Sequence, residues 1–229
     1  MQNINCWESK FQACEYSDQL INLLIYLNTI LRIPVNIEII KKACVLARLY
    51  HGDQKRKSGQ PYYSHPLIVA YLFSSYVGKK MWKYYTTELI VMAILHDTLE
   101  DTTLTYDMIV EIFGKQVADG VEDLTRIKDG VKITAEDSVD LLLLHRKKGI
   151  ILIKMFDRLH NAMTIHFMSP KKIISVLHET IRKFIFSSIY TEAHDIENEL
   201  IEICLNYLPQ QETKYKLSFQ GNYQLPSLD

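Results

Sequence analysis

The sequence predicts an all-α fold, a helical bundle. Three observations carry that reading. Apolar residues recur at helical spacing, as at Ile37, Ile40, Cys44 and Ala47. Capping residues stand ahead of several such runs: Asn36, Thr105 and the Ser169-Pro170 pair. No series of alternating apolar and polar residues marks a set of strands, and no internal repeat is present.

Taken in order, residues 18–32 form a strongly apolar helix that stops near Pro34. A second helix follows Asn36 through "IEIIKKACVLARLYH". The stretch "GDQKRKSGQPYYSHP" is polar and holds two glycines and two prolines, so it reads as a loop. His65 would sit there in the extended conformation that a following proline favours. Helices are expected over 66–77 and 87–100, the second almost wholly apolar and therefore central. Thr105 caps "YDMIVEIF", with Asp107 in the first turn and Gly114 as the stop. Further helices are expected over 115–126, 150–167, from 170 to about 188, and about 191–207. These runs divide the chain into an N-terminal helical extension (1–35), one helical domain (36–207) and a polar C-terminal tail (208–229) expected to be mobile.

Composition narrows the function. The 229 residues are 48% hydrophobic and 23% charged, enough for a sizeable core. A formal net charge of −1 gives no electrostatic reason to expect nucleic acid as a partner. No apolar run reaches the length of a membrane span, and the first residues lack a signal peptide's pattern. Cys6, Cys14, Cys44 and Cys204 form no CxxC pair, which suits reduced thiols in the cytoplasm.

The chemistry is concentrated in two apolar helices. "VMAILHDTLEDT" carries His96, Asp97, Glu100 and Asp101 directly after an apolar run. Charged groups are rarely buried unless they are paired or bind a metal. "IILIKMFDRLHNAMT" carries Lys154, Asp157, Asn161 and Thr164 as one polar stripe. A solvated face is the ordinary explanation of such a stripe, and two acidic notches closing around a cation is the sharper one. His65, His96, Asp97 and Asp157 make a mixed nitrogen and oxygen set that suits Mn²⁺, Fe²⁺ or Zn²⁺. Glu100 and Asp101, one turn on, are placed to orient or deprotonate water. Lys55, Arg56 and Lys57 beside Gly59 form a basic loop, which is either a solvated charge run or a cover for an anion. His51, His160 and His178 are read as structural histidines, and Tyr62 and Tyr63 as ordinary core or pocket tyrosines.

The stretches "HGDQKRKSGQPYYSHP", "ILHDTLEDT", "FGKQVADGVEDLTRI" and "ILIKMFDRLHNAMT" follow one another between residues 51 and 164. In order and spacing they resemble the HD-type hydrolase domain of the RelA/SpoT alarmone enzymes. The resemblance implies the helical HD phosphohydrolase fold and metal ligands at His65, His96, Asp97 and Asp157. It implies a water-activating pair at Glu100 and Asp101. It places Arg56, Lys57 and Ser58 at a guanine base, with Asn161 and Thr164 near the ribose and phosphates. Members of the family remove pyrophosphate from the 3′ position of guanosine tetra- or pentaphosphate, usually with Mn²⁺.

Two departures stand out. Asp53 occupies a position where the family usually has glycine, adding negative charge near the substrate phosphates. The segment 129–149, "DGVKITAEDSVDLLLLHRKKG", lacks the family's usual basic elements, and "HRKKG" is either their replacement or a solvated helix end. The chain has the length of a stand-alone small alarmone hydrolase or of a hydrolase fragment. Competing readings are an HD phosphohydrolase acting on another nucleotide and a degenerate protein that binds the alarmone without turnover.

Overall fold

The structure, a computed structural model, describes residues 7–11, 13–128 and 131–220. It is a bundle of helices: α1 (Trp7–Lys10), α2 (Glu15–Ile30), α3 (Ile37–His51), α4 (Ser64–Lys80), α5 (Thr87–Leu95), α6 (Thr98–Asp101), α7 (Tyr106–Phe113) and α8 (Lys115–Leu124). A two-stranded antiparallel hairpin follows, β1 (Ile127–Lys128) and β2 (Val131–Lys132). Then come α9 (Ala135–Leu144), α10 (Lys148–Met163), α11 (Pro170–Glu179), α12 (Ile185–Thr191) and α13 (His194–Gln220). Among the described residues no helix is long and apolar enough to cross a membrane.

Local chemistry explains the boundaries. Asn36 Oδ1 accepts from the backbone N–H of Glu38 and Ile39, and Thr105 Oγ1 from that of Met108. These bonds satisfy donors that a helix start leaves without partners. Gly114 closes α7 at φ +87°, a conformation that favours glycine. Ile90 to Leu95 of α5 are all buried, so this helix is the centre of the bundle, packed against α3, α4 and α8. Leu20, Leu24 and Leu27 of α2 are fully buried in the same apolar cluster. Each such side chain contributes about 1.5–3 kcal/mol. A second, smaller cluster (Ile165, Ile173, Val176, Leu177, Cys204) joins α11 to α13.

The structure differs from expectation at five places. His65 is helical, not extended, because α4 begins at Ser64. Pro66 then lies in the first turn, where its missing N–H has no partner to lose, and His65 N–H bonds the Tyr62 carbonyl at 2.9 Å. The helix expected over 87–100 breaks at His96 and Asp97, where Thr98 Oγ1 takes the Leu95 carbonyl at 2.7 Å. The helix expected from 170 to 188 is interrupted by a π-helical turn at Thr180–Phe184. The segment 131–144 forms β2 and α9, neither of which stands out in the sequence. At the C-terminus, α13 continues through Pro209 to Gln220, and the end of the expected tail lies outside the described residues.

Asn28 ties α2 to the start of α3. Its amide donates to the Val35 carbonyl at 2.9 Å and accepts the Val35 N–H at 2.9 Å and the Tyr85 hydroxyl at 3.1 Å. Asn28→Ala leaves two backbone groups of buried Val35 without partners. The expected loss is about 2–3 kcal/mol of unfolding free energy, read from urea denaturation. A change under about 0.5 kcal/mol would mean that water replaces the amide.

Candidate metal centre and cavity

At the end of α5 two adjacent residues, both on right-handed helical backbone, serve one point. His96 donates its Nδ1–H to the Ala93 carbonyl at 2.8 Å, which turns Nε2 outward from the helix end. His65, in the first turn of α4, meets it from the side, and Asp157 comes from the middle of α10. His65 Nε2 lies 3.1 Å from Asp157 Oδ1 and 3.6 Å from Asp97 Oδ2. His96 Nε2 lies 3.2 Å from Asp97 Oδ2 and 3.8 Å from Asp157 Oδ1. One ligand atom each from His65, His96 and Asp157 fall within 4.8 Å of one another.

The electrostatics mark this as a place for positive charge. Burial pushes both carboxyls up, yet the imidazoles beside them prevail: Asp157 falls to about 2, and Asp97 well below the carboxylate range. Burial pulls His96 toward neutrality, but Asp97 and Asp157 hold it at about 9. Burial shifts His65 down, against the opposing pull of Asp157 and Asp97. His96 Nε2 is buried with no hydrogen-bond partner. That orphaned nitrogen, facing two carboxylates, fits a divalent cation with mixed nitrogen and oxygen ligands. Of the four residues read from the sequence, His65, His96 and Asp157 form a group that could hold a metal ion, and Asp97 stands beside it, with Oδ2 3.2 Å from His96 Nε2.

The neighbours fall into two groups. Tyr62 reaches Asp97 Oδ2 at 2.9 Å and Asp101 Oδ2 at 3.0 Å, so one hydroxyl links the cluster to Asp101. Burial and Asp97 raise Asp101 above its ordinary value. Glu100 is placed differently. It accepts from the Arg126 backbone N–H (3.1 Å) and guanidinium (2.9 Å), and Lys132 lies 2.7 Å away. Despite its burial, Lys132 and Arg126 shift it down.

The loop 52–63 carries the second group. Arg56 N–H bonds the Gln60 carbonyl and Gly59 N–H the Arg56 carbonyl, both at 2.9 Å. Gly59 sits at φ +86°, which keeps the turn tight. The Arg56 guanidinium donates to Asn161 Oδ1 at 3.1 Å and Thr164 Oγ1 at 3.3 Å. Asn161 in turn donates to Asp157 Oδ1 at 2.6 Å, so the basic loop is wired to the cluster. Lys154, lowered to about 8 by burial, donates to the Leu124 carbonyl at 2.9 Å.

These residues enclose a cavity of about 540 Å³, within the size range of small-molecule sites. Its walls include Arg56, Lys57 and Ser58, Asn161 and Thr164, and the cationic Arg126, Lys154 and Lys172. Asp53 is not in those walls and instead lines a separate cavity on the other side of its loop, beside Arg48 and Tyr63. Nor does "HRKKG" reach the site, since Lys147 pairs with Asp123 and Lys148 with Glu192. Tyr62, one of the two tyrosines read as core or pocket residues, lines the cavity, whereas Arg126 and His160 do not stand out in the sequence, although "DLTRI" and "DRLHN" contain them. His160 proves to touch His65, Nδ1 to Nδ1 at 2.6 Å.

A family model described as "HD domain" matches residues 43–187. The chain is 36% identical over 180 residues to a Brucella ovis protein named GTP pyrophosphokinase rsh. It is 35% identical over 183 residues to an Aquifex aeolicus guanosine-3′,5′-bis(diphosphate) 3′-pyrophosphohydrolase. These alignments take in 76% and 78% of this chain but only 23% and 25% of the relatives, so it spans about a quarter of their length. A solved structure of a metazoan SpoT ortholog, described as hydrolysing ppGpp, shares the fold. Its TM-score is 0.58 at 21% identity, over 72% of this chain and 93% of that one.

Mn²⁺ at about 100 times its Kd is expected to stabilise the fold by about 2.7 kcal/mol, measured by denaturation with and without chelator. His96→Ala is expected to abolish that increment. An increment that survives the substitution would place the ion elsewhere.

Proposed function

Since the chain belongs to the HD-domain family, in its RelA/SpoT-type branch, we propose that it hydrolyses guanosine 3′,5′-bis(diphosphate) at the 3′ position. The products are GDP and pyrophosphate, or GTP and pyrophosphate from the pentaphosphate. The observation that supports this most is the opening of the cluster of His65, His96 and Asp157, with Asp97 beside it, onto a cavity whose walls include Arg56, Lys57, Arg126, Lys154 and Lys172. A polyphosphate needs such walls, and the bond to be cut needs such a centre.

His65, His96, Asp97 and Asp157 would hold the divalent ion, Mn²⁺ in this reading. When bound, it would supply Lewis-acid polarisation of a phosphate oxygen and a nucleophile at neutral pH. The protein's own groups do the rest. The oxygen of water bonds to the 3′-linked phosphorus, and the bond from that phosphorus to the 3′-oxygen breaks. The electron pair and a proton go to the 3′-oxygen. Asp101 takes the proton of the attacking water, because its raised affinity for protons suits a base better than Glu100's lowered one. Glu100 pairs with Arg126 and Lys132, and so positions Arg126 in the cavity wall. Lys154 spends one N–H on the Leu124 carbonyl and keeps two for phosphate oxygens. Arg56, preset by Asn161 and Thr164, lies at the base end.

The test is a product assay with the purified chain, Mn²⁺ and labelled guanosine tetraphosphate, scored for GDP and pyrophosphate. Metal and nucleotide binding without turnover would identify a binding protein instead. Asp101→Asn is expected to cut kcat by about 10²–10⁴-fold with Mn²⁺ affinity kept. Glu100→Gln is expected to act more on KM. Equal losses of kcat would assign both carboxylates to the water.

Arg56→Ala is expected to raise KM by roughly 2- to 30-fold with kcat little changed, from a contact of about 0.5–2 kcal/mol. Arg56→Lys should recover little, because an ammonium can neither stack as a plane nor reach Asn161 and Thr164 together. Full recovery with lysine would make charge alone the mechanism.

A further inference from the structure

We infer that His160 is the positioning residue that fixes which nitrogen of His65 faces the cation. The inference rests on the metal-binding reading of the cluster and adds a group to it. The two imidazoles meet edge to edge and close to coplanar, with centroids 4.9 Å apart and planes 19° from parallel, and Nδ1 meets Nδ1 at 2.6 Å. Both residues are buried, at 2% and 6% exposure. A contact this short between two ring nitrogens holds one proton, so one nitrogen donates and the other accepts.

The position of His65 decides which. Its Nε2 is the atom beside Asp157 Oδ1 and Asp97 Oδ2. A cation there needs that nitrogen's lone pair, so neutral His65 carries its proton on Nδ1. His160 Nδ1, 2.6 Å away, is the acceptor within reach of that proton. His160 must then accept on Nδ1 and carry its own proton on Nε2. His96 meets the same requirement with a backbone carbonyl, donating Nδ1–H to Ala93. His65 has a side chain in that place, carried on the same helix as Asp157. A ligand histidine's second nitrogen commonly finds such an acceptor, and losing it costs about 10- to 100-fold in metal affinity.

The full-length chain loaded with Zn²⁺, a diamagnetic probe, is examined by ¹⁵N-histidine NMR. His65 is expected protonated on Nδ1 and His160 on Nε2. A proton on His160 Nδ1 in the loaded protein overturns the inference, whatever any variant does. Mn²⁺ affinity is then measured for two variants. His160→Asn places an amide oxygen near the lost Nδ1 and is expected to bind within about threefold of the parent. His160→Leu fills similar space without an acceptor and is expected to bind about 10- to 100-fold more weakly. Parent-like binding by the leucine variant, or equal loss in both, reduces His160 to packing. Failure of the parent chain itself to bind Mn²⁺ or Zn²⁺ would instead remove the metal reading.

Discussion

Two buried imidazoles and two carboxylates are forced together at the end of the most apolar helix of the bundle. Asp97 and Asp157 bring two negative charges to the nitrogens of His65 and His96. Such a cluster in a core is costly unless something positive completes it. The neighbourhood is arranged around that demand. Asn161 donates to Asp157 and Tyr62 to Asp97, while the lysines and arginines stand farther out in the cavity wall. The inner shell thus calls for a small cation, and the outer wall for a polyanion.

Backbone geometry makes the convergence possible. Adjacent residues on an unbroken helix point about 100° apart, so His96 and Asp97 would diverge. At the end of α5 both residues keep right-handed helical backbone, and it is their side chains that meet at the edge of the helix face, with His96 Nε2 3.2 Å from Asp97 Oδ2. Proline is tolerated in the first turn of α4, which sets His65 on a helix and not on a loop. The burial of α5 against α3, α4 and α8 then holds these short-range arrangements rigid.

Much of this was legible in the sequence, for identifiable reasons. Asn36, Thr105 and Gly114 act locally, so their caps could be read directly. His96, Asp97 and Asp157 could be grouped because acidic and histidine residues on apolar helices have few other uses, whereas His65 was read on the polar loop before Pro66. What escaped depends on tertiary contact. Nothing in "DLTRI" says that Arg126 will reach back across 26 positions to Glu100. Nothing in "DRLHN" distinguishes His160 from an ordinary core histidine until its Nδ1 is seen against that of His65. The displacement of Asp53 to another cavity is likewise a matter of which way a turn leaves α3, fixed by Gly52 at φ +50°.

The most direct measurement is anomalous diffraction from crystals of the chain grown with Mn²⁺. One strong peak should lie within about 2.0–2.4 Å of His65 Nε2, His96 Nε2 and a carboxylate oxygen of Asp157, with Asp97 beside it. A peak at another site, or none with Mn²⁺ at saturating concentration, would contradict a metal centre at the end of α5.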